Sequence, residues 1–323
     1  MPDARRKRHL TRRDLLKGAA ALALGPWLTA CAAPSPAPQP EASAAPGRAT
    51  GQSRDKTLNI AHRGARSLAP ENTLAAARKA LDTGADMWEL DVAMAAGGEL
   101  FLVHDDTLER TSNAPQVFPD RRPWTNHTFT LEEIRSLDFG SWFVEQDPFG
   151  QIAAGQVTAE EQARYRGEAA PTLREALVFT RDNDWRVNVE LKDLSGAPGD
   201  ATVVEQTVAL IVELGMVESV LISSFNHSYL ARVKAAEPRI ATGALVSNAD
   251  PDPAALLRRL DAQAYNPRVT AIRAEDIAGL REEGFDVFVW TVNDEETMRR
   301  LVAAQASGIF TDFPQRLKPI VAG

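Results

Sequence analysis

Seven residues have side chains whose types and order are hard to explain by packing: His62, Arg63, Glu89, Asp91, His104, Glu190 and Lys192. Two histidines can carry protons near neutral pH, one taking a proton from an attacking oxygen while the other gives one to a leaving alkoxide. Three carboxylates with no cysteine nearby form an all-oxygen donor set, which suits a hard cation such as Mg²⁺ or Ca²⁺ better than zinc. Arg63 and Lys192 add positive charge, and a guanidinium fork can hold two oxygens of a phosphate at once. A divalent cation with those two side chains suits a phosphodiester.

These residues need elements that bring them together. Leu58-Asn59-Ile60-Ala61 is a strand-like run that passes at once into His62-Arg63-Gly64, so the polar groups start at a strand end. Pro70-Glu71-Asn72-Thr73 leads into an alanine-rich segment, 74–81, read as a helix capped by Asn72 or Thr73 and ended at Gly84. A second strand, 88–92, sets Glu89 and Asp91 on one face by its period of two. Gly97-Gly98 suits a two-residue hairpin turn, which would pair Ala96 with Glu99 and set His104 directly opposite Asp91. Residues 105–113 are polar and read as an active-site loop. Residues 114–170 read as an irregular insertion with one helix at 131–137 capped by Thr130, and Gly140-Ser141-Trp142-Phe143 within it as local packing or a substrate cleft.

From Pro171 onward strands and helices alternate. Strands are expected at 186–191, 220–225, 240–246, 262–266, 286–292 and 308–311. A helix opens at Pro171-Thr172-Leu173, and others are expected at 202–214, 229–236, 253–260, 274–283 and 295–304. With the strands at Leu58 and Trp88 the count is eight. The 100–103 run follows its predecessor too closely for a parallel crossover and can only be a hairpin partner. Eight strands in about 260 residues predict an α/β fold, a TIM (β/α)₈ barrel with a hairpin and loop insertion after strand 2 and its active site at the C-terminal strand ends. A sequentially wound barrel then brings Glu190 beside Glu89 and Asp91. Trp290 and Phe225, also at strand ends, are candidates for substrate contact or core packing, whereas His127 and His227 receive no chemical role.

The 323 residues are 44% hydrophobic and 25% charged, globular values, and the net charge of −8 without a basic stripe excludes general nucleic-acid binding. Before the barrel, Arg5-Arg6-Lys7-Arg8 and Thr11-Arg12-Arg13-Asp14-Leu15-Leu16-Lys17 precede an apolar run, 18–30, too short to span a membrane. The segment resembles a twin-arginine export signal, with that machinery as the implied partner. Cys31, the single cysteine, follows Leu28-Thr29-Ala30 in a pattern that resembles a bacterial lipobox. That implies a signal peptide over 1–31, cleavage before Cys31 and a lipid anchor on it, leaving an exported lipoprotein facing the periplasm or cell surface. Residues 32–56, rich in Pro, Ala, Ser and Gly, read as a flexible linker to a catalytic domain at 57–323.

Across 58–319, His62-Arg63-Gly64, Pro70-Glu71-Asn72-Thr73, Glu89-x-Asp91, His104-Asp105, Glu190-x-Lys192, Trp290-Thr291-Val292-Asn293 and Thr311-Asp312-Phe313-Pro314 occur in the order in which they stand in the glycerophosphodiester phosphodiesterases, which the chain closely resembles. The resemblance implies metal-dependent hydrolysis of glycerophosphodiesters to sn-glycerol 3-phosphate and an alcohol, with Ca²⁺ or Mg²⁺. By that resemblance His62 and His104 are the acid/base pair, Glu89, Asp91 and Glu190 the metal ligands, and Arg63 and Lys192 the phosphate contacts. Some family members use the neighbouring glycerol hydroxyl as nucleophile and pass through a cyclic phosphate; that route and direct water attack are both open here. The competing readings are a lipoprotein that binds without turnover and a phospholipase-like enzyme acting on intact lipids.

Overall fold

The computed structural model describes residues 56–322, so the signal, lipidation and linker expectations for 1–55 lie outside the described residues. Nine strands form one sheet: β1 (Leu58–Ala61), β2 (Met87–Met94), β3 (Leu100–Leu102), β4 (Val187–Leu191), β5 (Val220–Ser224), β6 (Ala241–Val246), β7 (Ala264–Pro267), β8 (Asp286–Val289) and β9 (Gly308–Thr311). The order β1-β9-β8-β7-β6-β5-β4-β2, closed by a parallel β1–β2 pairing, makes an eight-stranded parallel barrel, with β3 antiparallel on the outer edge of β2.

Each barrel strand is followed by a helix, beginning with Leu74–Asp82 after β1 and, beyond the insertion, Leu173–Asp182 after β2. The other six are Val203–Glu213, His227–Ala236, Pro253–Leu260, Ala274–Glu282, Glu295–Ala303 and Pro314–Val321. The last was not expected, since Pro319 interrupts its pattern. Strands in such a barrel are covered on both faces, which is why their sequences are continuous apolar runs rather than alternating ones. Leu58, Ile60, Met87, Leu221, Ala264, Phe288 and Phe310 pack as one buried group, while a larger group, including Trp88, Leu90, Val189, Ile222 and Val287, packs with helix residues such as Ala76, Leu177 and Leu230. No helix among the described residues is long and apolar enough to cross a membrane.

Two local expectations are corrected. The hairpin pairs Val92 with Leu102 and Met94 with Leu100, and the Ala95 N–H donates to the Glu99 carbonyl, so the loop has three residues, Ala96-Gly97-Gly98. Gly98 takes φ +92°, the left-handed residue of that loop type, and the register moves by one from the expected two-residue turn. Val103, not His104, therefore stands opposite Asp91, its N–H donating to the Asp91 carbonyl at 3.2 Å. The insertion is also more ordered than its composition indicates. Leu108, Trp124, Phe129, Ile134, Leu137 and Phe139 join Ala93, Phe101 and Val103 in a small core of their own. Short helices at Ser141–Gln146 and Ala159–Tyr165 add to the expected one at Leu131–Arg135, and Trp142 and Phe143 are buried packing residues rather than cleft walls.

Candidate active site

The chemistry-bearing residues gather at the C-terminal mouth of the barrel. A pocket of about 100 Å³ is lined by His62, Arg63, Glu89, His104 and Glu190, with the aromatic rings of Phe225 and Trp290 on its wall. His62 and Arg63 directly follow β1, where Arg63 (φ +53°) and Gly64 (φ +77°) form a left-handed turn that points the Arg63 N–H at Glu89 Oε2, 2.8 Å away. Only glycine fits at 64, because a Cβ there would lie 2.6 Å from the Ala76 carbonyl carbon.

Glu89 and Asp91 share a face of β2, and the parallel register sets Glu190 of β4 beside Asp91 and Asn188 beside Glu89. One oxygen from each of the three carboxylates lies within 4.8 Å of the others. Burial, then repulsion from Asp91 and Glu190, holds the Glu89 carboxyl well above its usual range; burial, then Asp91, also raises Glu190. Asp91 is held below its usual range even though burial opposes this, because Lys192 and Arg63 stand beside it. Glu89 Oε1 is buried without a hydrogen-bond partner among the described residues. An all-oxygen cluster of mutually repelling carboxylates with an unpartnered oxygen is a donor set that a hard divalent cation fits.

Both histidines are oriented by a carboxylate on Nδ1. His62 Nδ1 lies 2.7 Å from Asp312 Oδ1, and His104 Nδ1 lies 2.7 Å from Asp105 Oδ1. Although burial opposes it, His62 and Arg66 hold Asp312 at about 2, so it is ionised and accepts, which puts the neutral-ring proton on Nδ1 and the lone pair on Nε2. Burial, reinforced by the Arg63 charge, lowers the His62 pKa, and its Nε2 is 4.0 Å from Glu89 Oε2. Asn293 donates to Asp312 Oδ2 at 2.8 Å and fixes the dyad from behind.

The cations are more constrained than the sequence indicates. Arg63 is nearly buried, bonded to Glu71 at 2.8 Å and 3.3 Å from Asp91, while Lys192 bridges Glu190 at 2.9 Å and Asp91 at 3.5 Å. Glu71 gathers Arg63, Arg66 and Arg110 around one carboxylate. Arg110 also pairs with Asp105, linking this cluster to the His104 dyad. Asn72 donates to Asp91 Oδ2 and accepts from the Asp91 N–H, so the helix cap falls to Thr73, whose hydroxyl accepts from Ala76 N. Glu71, Asn72, Asp105 and Asp312 stand within the motifs that carry the family resemblance, but their roles depend on partners that spacing alone does not identify.

Phe225, 41% exposed, packs edge-on against Trp290 at 5.5 Å between ring centres, giving the pocket an apolar wall.

The model of the "Glycerophosphoryl diester phosphodiesterase family" matches residues 62–316. A "Glycerophosphodiester phosphodiesterase" of Caldanaerobacter subterraneus subsp. tengcongensis is 36% identical over 266 residues, 82% of this chain and 98% of its own. A protein of the same description from Bacillus altitudinis is 31% identical over 265 residues, 80% and 96% of the two chains. Among solved structures, an Oleispira antarctica phosphodiesterase in complex with the product sn-glycerol-3-phosphate has a TM-score of 0.67 at 28% identity, covering 82% of this chain and 96% of that one. A glycerophosphodiester phosphodiesterase from Agrobacterium tumefaciens has a TM-score of 0.64 at 26% identity, covering 81% and 99%.

Proposed function

The chain belongs to the glycerophosphoryl diester phosphodiesterase family, and from that membership we propose that it hydrolyses glycerophosphodiesters such as glycerophosphocholine and glycerophosphoethanolamine to sn-glycerol 3-phosphate and an alcohol. The observation that carries the reading is the pair of carboxylate-oriented histidines, His62 on Asp312 and His104 on Asp105, lining one small pocket with Glu89 and Glu190. A ring held through Nδ1 has Nε2 to exchange protons: one histidine takes the proton of the attacking oxygen, whether from water or the neighbouring glycerol hydroxyl, and the other returns one to the leaving alkoxide. Glu89, Asp91 and Glu190 would hold a divalent cation, Ca²⁺ or Mg²⁺, which when bound supplies positive charge to the phosphate oxygens. Arg63 and Lys192 add to that positive field, and the Phe225–Trp290 wall suits the carbon face of glycerol. Residues 1–31 complete the proposal as a twin-arginine-type lipoprotein signal, with Cys31 anchoring the mature protein to a membrane on the periplasmic or outer side.

The test is a panel of glycerophosphodiesters and intact phospholipids, each with Ca²⁺, Mg²⁺ or EDTA. Release of sn-glycerol 3-phosphate is expected from the glycerophosphodiesters with cation, and loss of one proton-transfer group in His62→Ala lowers it by roughly 10²–10⁴-fold. Equal release by wild type and His62→Ala, or full activity after EDTA, would sink the mechanism. Turnover of intact phospholipids alone would move the substrate to membrane lipid. The anchor is tested separately: in the native host, Cys31→Ala should move the activity from the membrane to the soluble fraction.

A further inference from the structure

Three arginines at the barrel mouth share one carboxylate. Glu71 Oε1 lies 2.8 Å from Arg63 and 2.7 Å from Arg110, and its Oε2 lies 2.8 Å from Arg66. The backbone is pinned on either side of it, since Thr73 Oγ1 donates to the Pro70 carbonyl and the Asn72 N–H to the Arg63 carbonyl. Glu71 is buried, and although burial opposes ionisation the three guanidinium groups hold its carboxyl far below the usual range. One negative charge does not neutralise three positive ones, so each arginine turns to a second carboxylate.

Those second partners belong to the three working parts of the pocket. Arg63 Nε stands 3.3 Å from Asp91 of the carboxylate triad. Arg66 stands 3.6 Å from Asp312 Oδ1, the oxygen that meets His62 Nδ1. Arg110 donates through Nε to Asp105 Oδ2 at 2.6 Å and through a terminal nitrogen to Asp105 Oδ1 at 3.2 Å, the oxygen that meets His104 Nδ1. A guanidinium is a rigid planar fork, so fixing one side of it fixes the other. The insertion backs two of these forks with rings. The Phe149 ring centre lies 5.2 Å from the Arg66 guanidinium and packs edge-on against Phe313, and the Trp142 ring centre lies 5.9 Å from that of Arg110.

We propose that Glu71 is a positioning residue for both proton transfers: through Arg66 and Arg110 it sets the Asp312–His62 and Asp105–His104 dyads relative to one another. The proposal rests on the phosphodiesterase reading and adds to it a residue that touches neither histidine. His62 follows β1 and His104 follows β3, strands that pair with β2 but not with each other, so the sheet alone does not tie the two rings together. Proton transfer needs each ring nitrogen within hydrogen-bond reach of the moving proton, and a displacement of about 1 Å costs on the order of 10²-fold in rate. A single carboxylate that fixes both forks holds both rings to that tolerance.

The experiment compares kcat/KM for sn-glycero-3-phosphoethanol and the corresponding para-nitrophenyl ester in wild type and Glu71→Gln, which keeps the size of the side chain and removes its charge. Nitrophenolate is a weak base that leaves without a proton, whereas ethoxide needs one, so only the ethanol ester depends on the histidine that protonates the leaving group. Both esters should slow in the variant, and the nitrophenyl-to-ethanol ratio should rise about tenfold, a part of the roughly 10²–10⁴-fold that a proton-transfer group contributes. A merely structural role lowers both esters equally, so an unchanged or lower ratio overturns the proposal while leaving the phosphodiesterase reading intact. No hydrolysis of either ester by wild type overturns both. Should Glu71→Gln fold poorly, Arg66→Lys and Arg110→Lys decide the question, since each keeps the charge and removes the fork. The one whose dyad protonates the leaving group raises the ratio, and a ratio raised in neither overturns the proposal.

Discussion

The seven residues that could do chemistry were legible because histidine, carboxylate and arginine recur at strand ends, where an apolar core has no use for them. Their supports were not. Asp312 stands 250 positions after His62 and Asp105 one position after His104, yet each makes the same 2.7 Å contact to a ring Nδ1. Only the closed barrel puts β9 beside β1 and so brings the first pair together. Asp312 also has a consequence for stability. Its carboxyl is held at about 2 in the folded protein against an ordinary 3.8, burial opposing and the His62 bond and charge prevailing. A depressed carboxylate contributes stability that is fully present above the unfolded value and disappears as pH falls through the folded one, here across pH 4 to 2. The difference corresponds to about 2 kcal/mol. Asp312→Asn should therefore cost about 2 kcal/mol at pH 7 in urea denaturation, with the gap to wild type closing towards pH 2. A gap that stays constant over that range would show that the charge on Asp312 does not stabilise the fold.

At the scale of elements, strands were found because they are apolar runs of the right length, and helices because of their 3.6 spacing and caps. Pro253–Leu260 has the expected bounds, and most others moved by one or two residues, as helix ends do. Ser141–Gln146 and Ala159–Tyr165 were missed because neither is long enough to show a period, and their burial is decided by the insertion's own packing. The β2–β3 hairpin shows how one residue of loop length alters a site. A two-residue Gly97-Gly98 turn would set His104 against Asp91, whereas the three-residue loop sets Val103 there, and His104 turns to the pocket only because β3 has ended at Leu102. The two loops differ in which glycine they require. Gly98 holds φ +92°, while a Cβ on Gly97 meets the end of the flexible Glu99 side chain at 2.5 Å, which can move aside. Gly98→Ala should lower stability by roughly 1 kcal/mol or more, and Gly97→Ala by much less. Comparable losses in thermal denaturation of the two variants would contradict the three-residue loop.

For the whole molecule, the barrel's closure concentrates buried charge at one mouth: Glu71, Glu89, Asp91, Glu190, Arg63 and Lys192 meet within a protein of net charge −8. Lys192 and Arg63 neutralise Asp91, but Glu89 and Glu190 remain pressed towards the neutral form by burial and by their neighbours. Part of the protein's folding free energy is thus spent on holding three carboxylates together. A divalent cation that binds the folded triad and not the unfolded chain would recover that cost. At a hundred times its dissociation constant such an ion stabilises by about 2.7 kcal/mol. For a domain of this size each kcal/mol raises Tm by roughly 2–4 °C, so saturating Ca²⁺ or Mg²⁺ should raise the wild-type Tm by roughly 5–10 °C relative to EDTA. The triad, rather than cations screening the acidic surface, is the source only if the rise depends on its members. Glu89→Gln removes a ligand and little of the surface charge, so it should lose most of the rise, whereas a change at the exposed Glu160 should keep it. Equal rises in all three proteins would assign the effect to the surface and leave the carboxylate cluster without a cation.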